Sequence, residues 1–252
     1  FHIDFNGTNF TSGDMLEKVL EGFVAGLEAE YGHDPRGENT SLGIRFAYVL
    51  ARAHERHGRR CVVLIDEYDK PILDVLDTDH KVVVDGQEWL IEDRNREILK
   101  GFYSVFKAAD GDLQFVFLTG VTKFSQVSVF SGFNQPADIS MDPRYEALCG
   151  ITQEELESTF GESIREMAEF QSVTEDEMKA TLKLQYDGYH FSQRMTNIYN
   201  PFSLLNAFAS QTIRDYWFSS GTPTYLIRLL AHTDENLDEM TGKYYDPQEF
   251  ID

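Results

Sequence analysis

Cys61-Val62-Val63-Leu64-Ile65-Asp66-Glu67-Tyr68-Asp69-Lys70 is an apolar run that ends in two adjacent carboxylates, followed by a further acid and a lysine. No polar residue interrupts Cys61–Ile65, which predicts a strand covered on both faces in a parallel sheet. Ligands of open parallel sheets sit beyond the carboxyl ends of the strands, so Asp66 and Glu67 fall where such a sheet meets its ligand. Adjacent side chains on a strand point to opposite faces, but the turn at the strand's end lets both face one crevice. In phosphoryl transfer an aspartate so placed holds a magnesium shell, and a following glutamate orients or deprotonates the attacking water. The usual companion is a glycine-rich loop ending in Lys-Ser/Thr, and no such segment occurs in these 252 residues. The bland alternatives are an ordinary strand end at Asp66-Glu67 and an exposed ion pair between Asp69 and Lys70 of little energetic weight.

Outward from this run, Phe1–Phe5 alternates large apolar and polar residues and reads as a strand, with a turn at Asn6–Asn9. Met15, Val19, Leu20, Phe23, Val24 and Leu27 recur at helical spacing between about Ser12 and Tyr31, with Ser12 as the expected N-cap and Gly32 as the stop. A second helix is expected over Ser41–Arg56, with Ile44, Phe46, Ala47, Leu50 and Ala51 as its inner stripe. Pro71-Ile72-Leu73 opens a short helix or turn, and Asp77–Glu88 reads as an acidic, mobile connection. Glu92–Ala109 is helical by the pattern of Ile98, Leu99, Phe102, Val105 and Phe106, and Leu113–Leu118 is another apolar strand. Strands alternating with helices predict an α/β fold with a parallel sheet. Thr119-Gly120-Val121-Thr122-Lys123-Phe124-Ser125 follows the last strand; if the two strands are neighbours, its hydroxyls and ammonium group lie beside Asp66, placed to sense a terminal phosphate. Composition changes near Cys149-Gly150. Thr152 with Glu155 is a capping-box pattern opening a helix through about Phe160, and further helices are expected at Thr174–Gln185, Pro201–Ser210 and Thr222–Ala231. The expected organisation is an α/β domain over residues 1–148 and a mostly α-helical domain over 149–252.

Asp and Glu number 43 against 22 Lys and Arg, a net charge of -21, so the chain repels phosphate backbones at long range and nucleic-acid binding is not expected of it. The only basic run is the short stretch holding Arg52, Arg56, Arg59 and Arg60. Hydrophobic residues at 42% and aromatics at 13% argue for a packed core. Cys61 and Cys149 offer neither a disulfide framework nor metal-ligand spacing, and the histidines show no ligand spacing, which fits a reducing cytoplasm without a transition metal. No apolar segment is long enough to cross a bilayer, so no membrane partner is expected. The chain opens at Phe1 without an initiator methionine, in what reads as the middle of a strand, so a piece of a longer protein is expected.

Several stretches in order carry a family resemblance. They are Val63–Pro71, Phe117–Ser125, Asp138-Ile139-Ser140, Leu148–Thr152, Tyr186-Asp187-Gly188-Tyr189, Tyr199–Ser203, and Tyr216-Trp217-Phe218 with Gly221–Thr224. Together they span nearly the whole chain, which resembles the bacterial AAA-ATPase-like family of P-loop NTPases. The resemblance implies ATP and Mg2+ as cofactors. Asp66 becomes the metal-holding and Glu67 the catalytic member of the Walker B pair, with Thr119, Thr122 and Lys123 in the nucleotide-sensing loop. Asp142-Pro143-Arg144-Tyr145 and Tyr186–Tyr189 are family hallmarks without an assigned role. The family normally opens with a Pro-Arg-Arg-Phe-Gly-Lys-Ser/Thr type P-loop and often ends in a PD-(D/E)XK nuclease-like domain; this chain contains neither. The strand feeding that P-loop lies inside the sheet in such enzymes, so the expected fold is a P-loop NTPase-like core lacking the P-loop strand, truncated at its N-terminus.

Two functions from different classes follow. The first is an ATP-binding and hydrolysing switch in the intact parent, inactive in this chain alone, with the helical domain relaying nucleotide state or binding a protein partner. The second is a non-catalytic interaction module presenting Tyr186, Tyr189, Phe191, Tyr216, Trp217 and Phe218, with the carboxylates as relics. Magnesium-dependent nuclease chemistry at Asp66, Glu67 and Lys70 is disfavoured, because a two-carboxylate nuclease needs its acids on adjacent strands with a lysine two residues beyond the second. Arg94, Arg96, Arg144 and Arg228 are the arginines considered for a finger, and spacing selects none of them.

Overall fold

The Cys61–Asp66 run is a strand flanked on both sides by parallel partners in the structure, a computed structural model that describes residues 1–37, 40–76, 78–121 and 136–217. These residues form two compact units that divide between Pro136 and Ala137. The first contains, in chain order, β1 (His2–Asp4), α1 (Met15–Tyr31), α2 (Leu42–His57), β2 (Cys61–Asp66), α3 (Lys70–Leu73), β3 (Lys81–Val84), β4 (Gln87–Leu90), α4 (Ile91–Tyr103), α5 (Val105–Ala108), a 3-10 turn at Asp110–Asp112 and β5 (Leu113–Leu118). The sheet runs β1-β2-β5. Ile3 pairs with Ile65 and Asp4 with Asp66, while Val63 pairs with Val116 and Ile65 with Leu118.

Burial alternates along β2. Cys61, Val63 and Ile65 are buried, whereas Val62 and Leu64 are 41% and 40% exposed. The expectation of a strand covered on both faces therefore fails among the described residues. The buried side chains of α1, α2, α4 and α5 join one cluster with Ile3, Val63 and Ile65, so these helices serve one face of the sheet. At the centre of that cluster Phe46 stacks on Phe102 with ring centroids 5.4 Å apart and meets Phe23 edge-on at 5.5 Å. The other face shows Val62 beside Phe115 and Leu64 beside Phe117, with Phe115 53% exposed.

Local chemistry explains most helix limits. Gly32, at φ 95°, stops α1 with its N–H on the Glu28 carbonyl, and the Ser41 hydroxyl caps α2 by accepting the Ile44 N–H. Ser12 does not cap α1; Asp14 occupies the cap position without a side-chain bond, and Ser12 instead bonds the Asp14 carboxylate. The buried stripe of α2 is Gly43, Phe46, Val49, Leu50 and Ala53, rotated from the expected one so that Ile44 faces out. Residues 81–90, which take in most of the Asp77–Glu88 stretch expected as a mobile connection, form an antiparallel hairpin around Asp85-Gly86, both at positive φ as a tight two-residue turn demands.

Arg45 on α2 ties the first two helices together. Its guanidinium donates to the buried Glu28 carboxylate (2.9 Å from Nε) and to Glu21 (2.7 Å from Nη1) on α1. The Arg45 contact holds the Glu28 carboxyl below its usual value against the opposing effect of burial.

The described part of the second unit is built on α6 (Gln153–Gln171), α7 (Glu175–Tyr186) and α8 (Pro201–Ser210). Capping boxes at Thr152/Glu155 and Thr174/Glu177 open the first two, and the Asn200 side chain caps the third. The first runs well past its expected end at Phe160. Leu156, Ile164, Met167, Met178, Leu182, Tyr186, Tyr199 and Leu204 form its core. The helix expected at Thr222–Ala231 lies outside the described residues.

Ile65→Ala is expected to cost about 2–5 kcal/mol, whereas Leu64→Thr on the open face costs no more than about 1 kcal/mol, as measured by urea denaturation. Glu28→Gln is expected to cost about 1–3 kcal/mol at pH 7 by removing a charge-assisted bond. Because the folded-state pKa of Glu28 is lowered, its contribution is present above the unfolded value and lost as pH falls below about 4.3. The gap between wild type and Glu28→Gln in a pH series of melts should therefore close on the acidic side.

Candidate nucleotide site at the carboxyl ends of the strands

Parallel register brings the ends of β1, β2 and β5 to one edge. Asp4 lies opposite Asp66, and Thr119 follows Leu118, the partner of Ile65. The Thr119 hydroxyl donates to Asp66 Oδ1, the same oxygen that accepts the Glu67 N–H at 3.1 Å. Main-chain bonds continue the ladder past the strands: Thr119 N–H to Ile65 O at 2.9 Å, Tyr68 N–H to Thr119 O at 2.9 Å, and Phe5 N–H to Asp66 O at 3.2 Å. Asp66 is solvent-exposed and Glu67 half-buried.

Glu67 sits at φ 51°, in the left-handed region where an L side chain costs about 1–2 kcal/mol. Such strain concentrates at functional positions, and here it turns the chain sharply as the strand ends. Burial pushes the Glu67 carboxyl above its usual value; Lys70 opposes this, while Asp66, Asp4 and Asp69 add to it. Desolvation and neighbouring acids thus increase the proton affinity of this carboxylate.

The remaining residues of the run take other roles. Asp69 is fully buried, which rules out the alternative of an exposed Asp69–Lys70 ion pair, and Lys70 Nζ lies 2.8 Å from Asp74 Oδ1. Asp74 also accepts the Phe10 N–H at 3.1 Å, and the buried Asn95 donates to the Pro71 carbonyl at 2.7 Å, which anchors α3 beside the site. Asp4 was missed by sequence reasoning, although its place at the end of the alternating Phe1–Phe5 run marks it as the β1 counterpart of Asp66. Thr122 and Lys123 lie outside the described residues.

Among the described residues, no group of three or more His, Cys, Asp or Glu side chains is arranged to hold a metal ion unaided. An exposed carboxylate carrying a hydroxyl fits Mg2+, which is commonly held by one or two carboxylates with water and phosphate oxygens completing its shell. No described helix is long and apolar enough to cross a membrane.

The hallmark segments in the second unit are internal braces. Asp142 accepts the Arg144 N–H at 2.9 Å and its guanidinium at 2.6 Å, contacts that pull the Asp142 carboxyl down to about 2. The buried Tyr186 hydroxyl donates to Arg214 O at 2.9 Å and accepts the Arg214 N–H at 3.0 Å. Tyr189 and Trp217 stand exposed, and Phe218 is outside the described residues.

Glu67→Gly exchanges left-handed strain against the extra backbone entropy of glycine, so folding stability is expected to hold or rise by up to about 1 kcal/mol in urea denaturation. A loss exceeding that range would falsify the assignment of strain at this turn.

The α/β part matches a known family. Residues 1–130 match the family described as "Predicted AAA-ATPase". A protein of Azotobacter chroococcum mcd 1, described as an uncharacterized protein in the vnfD 5' region, is 41% identical over 187 residues, or 74% of this chain. The matched region covers 32% of that relative, so the chain spans about a third of its length. No solved structure matches. On the family match over more than half of its residues, the chain belongs to the AAA-ATPase-like family.

Proposed function

We propose that this chain carries the Walker B end of a Mg2+–ATP site, completed by a phosphate-cradling segment outside the 252 residues. The observation that carries the reading is the convergence at one strand edge of an exposed Asp66 bonded by Thr119 and a strained, half-buried Glu67 of raised proton affinity. Asp66 anchors the metal shell, Glu67 orients the attacking water and accepts its proton, and Thr119 senses the terminal phosphate, with Thr122 and Lys123 in the same loop. Bound Mg2+ supplies neutralisation of the charge developing on the transferred phosphoryl oxygens.

Two features support a core that extends further. Among the described strands β5 pairs with β2 alone, and no described helix covers the sheet face bearing Val62, Leu64, Phe115 and Phe117. A strand added at β5, leading into a helix across that face, would bring loop amides and a lysine to the phosphates. The crevice as described has the opposite charge, with Asp4, Asp66 and Glu67 at its edge and Lys70 held by Asp74. The acidic surface and the absence of disulfide or metal spacing favour a cytoplasmic protein that does not bind nucleic acid directly. The exposed Phe170 and Leu184 on α6 and α7 favour a protein partner for the helical unit.

The purified 252-residue chain is expected to release no measurable phosphate from ATP and, in calorimetric titration with Mg2+, to bind ATP no tighter than about millimolar, a level set by a few contacts. In the longer parent protein, turnover should appear and fall at least about 100-fold in Glu67→Gln, as for loss of a general base. Turnover by the parent that survives Glu67→Gln would instead favour the reading as a non-catalytic interaction module.

A further inference from the structure

Asp69 stands three residues beyond Asp66 but in a different environment, at 0% exposure against the solvent-facing Asp66. A carboxylate removed from water needs compensating hydrogen bonds. Asp69 Oδ2 accepts the Val121 N–H at 2.9 Å, a bond between segments 52 residues apart. Its main-chain carbonyl accepts the N–H groups of Ile72 at 2.9 Å and Leu73 at 3.0 Å, which starts α3.

Gly120 lies directly against this group. A Cβ at Gly120 would sit 2.7 Å from Asp69 Oδ1 and 2.5 Å from the Tyr68 ring, closer than real Cβ atoms approach. On its other side Thr119 is held by three bonds: its hydroxyl on Asp66, its carbonyl on the Tyr68 N–H, and its own N–H on Ile65 O. The turn Thr119-Gly120-Val121 is thus gripped at both ends by the turn Asp66–Asp69.

We propose that Asp69 is a positioning residue: by holding the Val121 N–H it fixes the turn after β5 so that the Thr119 hydroxyl stays on Asp66, and Gly120 is required because only glycine lets the two turns close to this distance. Asp69 touches neither metal nor phosphate in this scheme. It acts through Val121 and Thr119, and its effect on the site rests on the reading of Asp66 as a metal ligand. The four acids and one lysine of the segment therefore divide their work: Asp66 and Glu67 face the chemistry, Asp69 braces the neighbouring loop, and Asp74 engages Lys70 and Phe10.

The test uses the 252-residue chain and hydrogen exchange of the amides at residues 119–121. Asp69→Ala is expected to speed exchange at Val121 by at least about tenfold, the scale for loss of a charged acceptor. Asp69→Asn, whose amide oxygen can still accept, should stay within about threefold of wild type. Gly120→Ala should behave as Asp69→Ala does. If Asp69→Ala does not fold, Asp69→Leu removes the acceptor while filling the buried volume. Unchanged Val121 exchange in whichever of these folds overturns the proposal, as does equal loss of protection in Asp69→Asn.

Mn2+ binding followed by electron paramagnetic resonance supplies the second readout. Affinity that depends on Asp66 should drop several-fold in Asp69→Ala and recover in Asp69→Asn. If wild type binds no Mn2+ at Asp66, the nucleotide-site reading of that residue fails, while the exchange result still decides whether Asp69 holds the turn.

Discussion

The parallel register of β2 against both neighbours is the constraint from which the site follows. It sets Asp4 against Asp66 and continues past Leu118 so that Thr119 reaches the same edge. Side chains alternate along a strand, so a shift of one residue would bury Val62 and Leu64 and turn Val63 and Ile65 outward. The helical layer resists that slip, because Phe46, Leu50 and Phe102 pack in one cluster with Val63 and Ile65. Core packing and site geometry are therefore one requirement. The side chains that anchor β2 to its helices also decide where Asp66 emerges.

Electrostatics then sort a dense set of acids into different tasks. Asp69 and Glu28 are buried and held by donors, an N–H in one case and a guanidinium in the other. Asp74 neutralises Lys70, so that lysine is engaged. What faces solvent at the strand edge is the acidic set Asp4, Asp66 and Glu67, whose mutual repulsion helps raise the Glu67 proton affinity. Such an edge attracts a divalent cation and repels a bare polyphosphate. Phosphate binding there would require positive charge or oriented amides beyond this acidic set.

The apolar runs at Cys61–Ile65 and Leu113–Leu118 were legible as strands, and the Thr152/Glu155 capping box was legible as a helix start. Each is a local signal that tertiary packing reinforced. The hairpin at residues 81–90 was hidden because its three consecutive valines show no period of two, and the Asp85-Gly86 turn was the overlooked cue. Burial of Asp69 was illegible for another reason. A carboxylate in Asp-Glu-Tyr-Asp-Lys looks solvated, and it takes long-range approach, that of Gly120 and Val121 included, to bring it out of water. The one-sided cover of β2 was likewise invisible, since an apolar run looks the same whether one face or both are packed.

Exposure of Val62, Leu64 and Phe115 has an energetic meaning of its own. Alternating polar residues would make that face soluble at no cost to the core, because Val63, Ile65 and Val116 already supply the packed side. Each of these side chains, left 40–53% exposed, instead forgoes a part of the roughly 1.5–3 kcal/mol that full burial makes available. Together with an edge at β5 that has no second partner among the described strands, this describes a sheet whose stabilisation is only partly realised within residues 1–121. A parallel neighbour of β5, as proposed above, would deliver its own carboxyl end beside Thr119 and near Asp66. On that reading the open part of the described sheet and the open part of the site lie at the same edge.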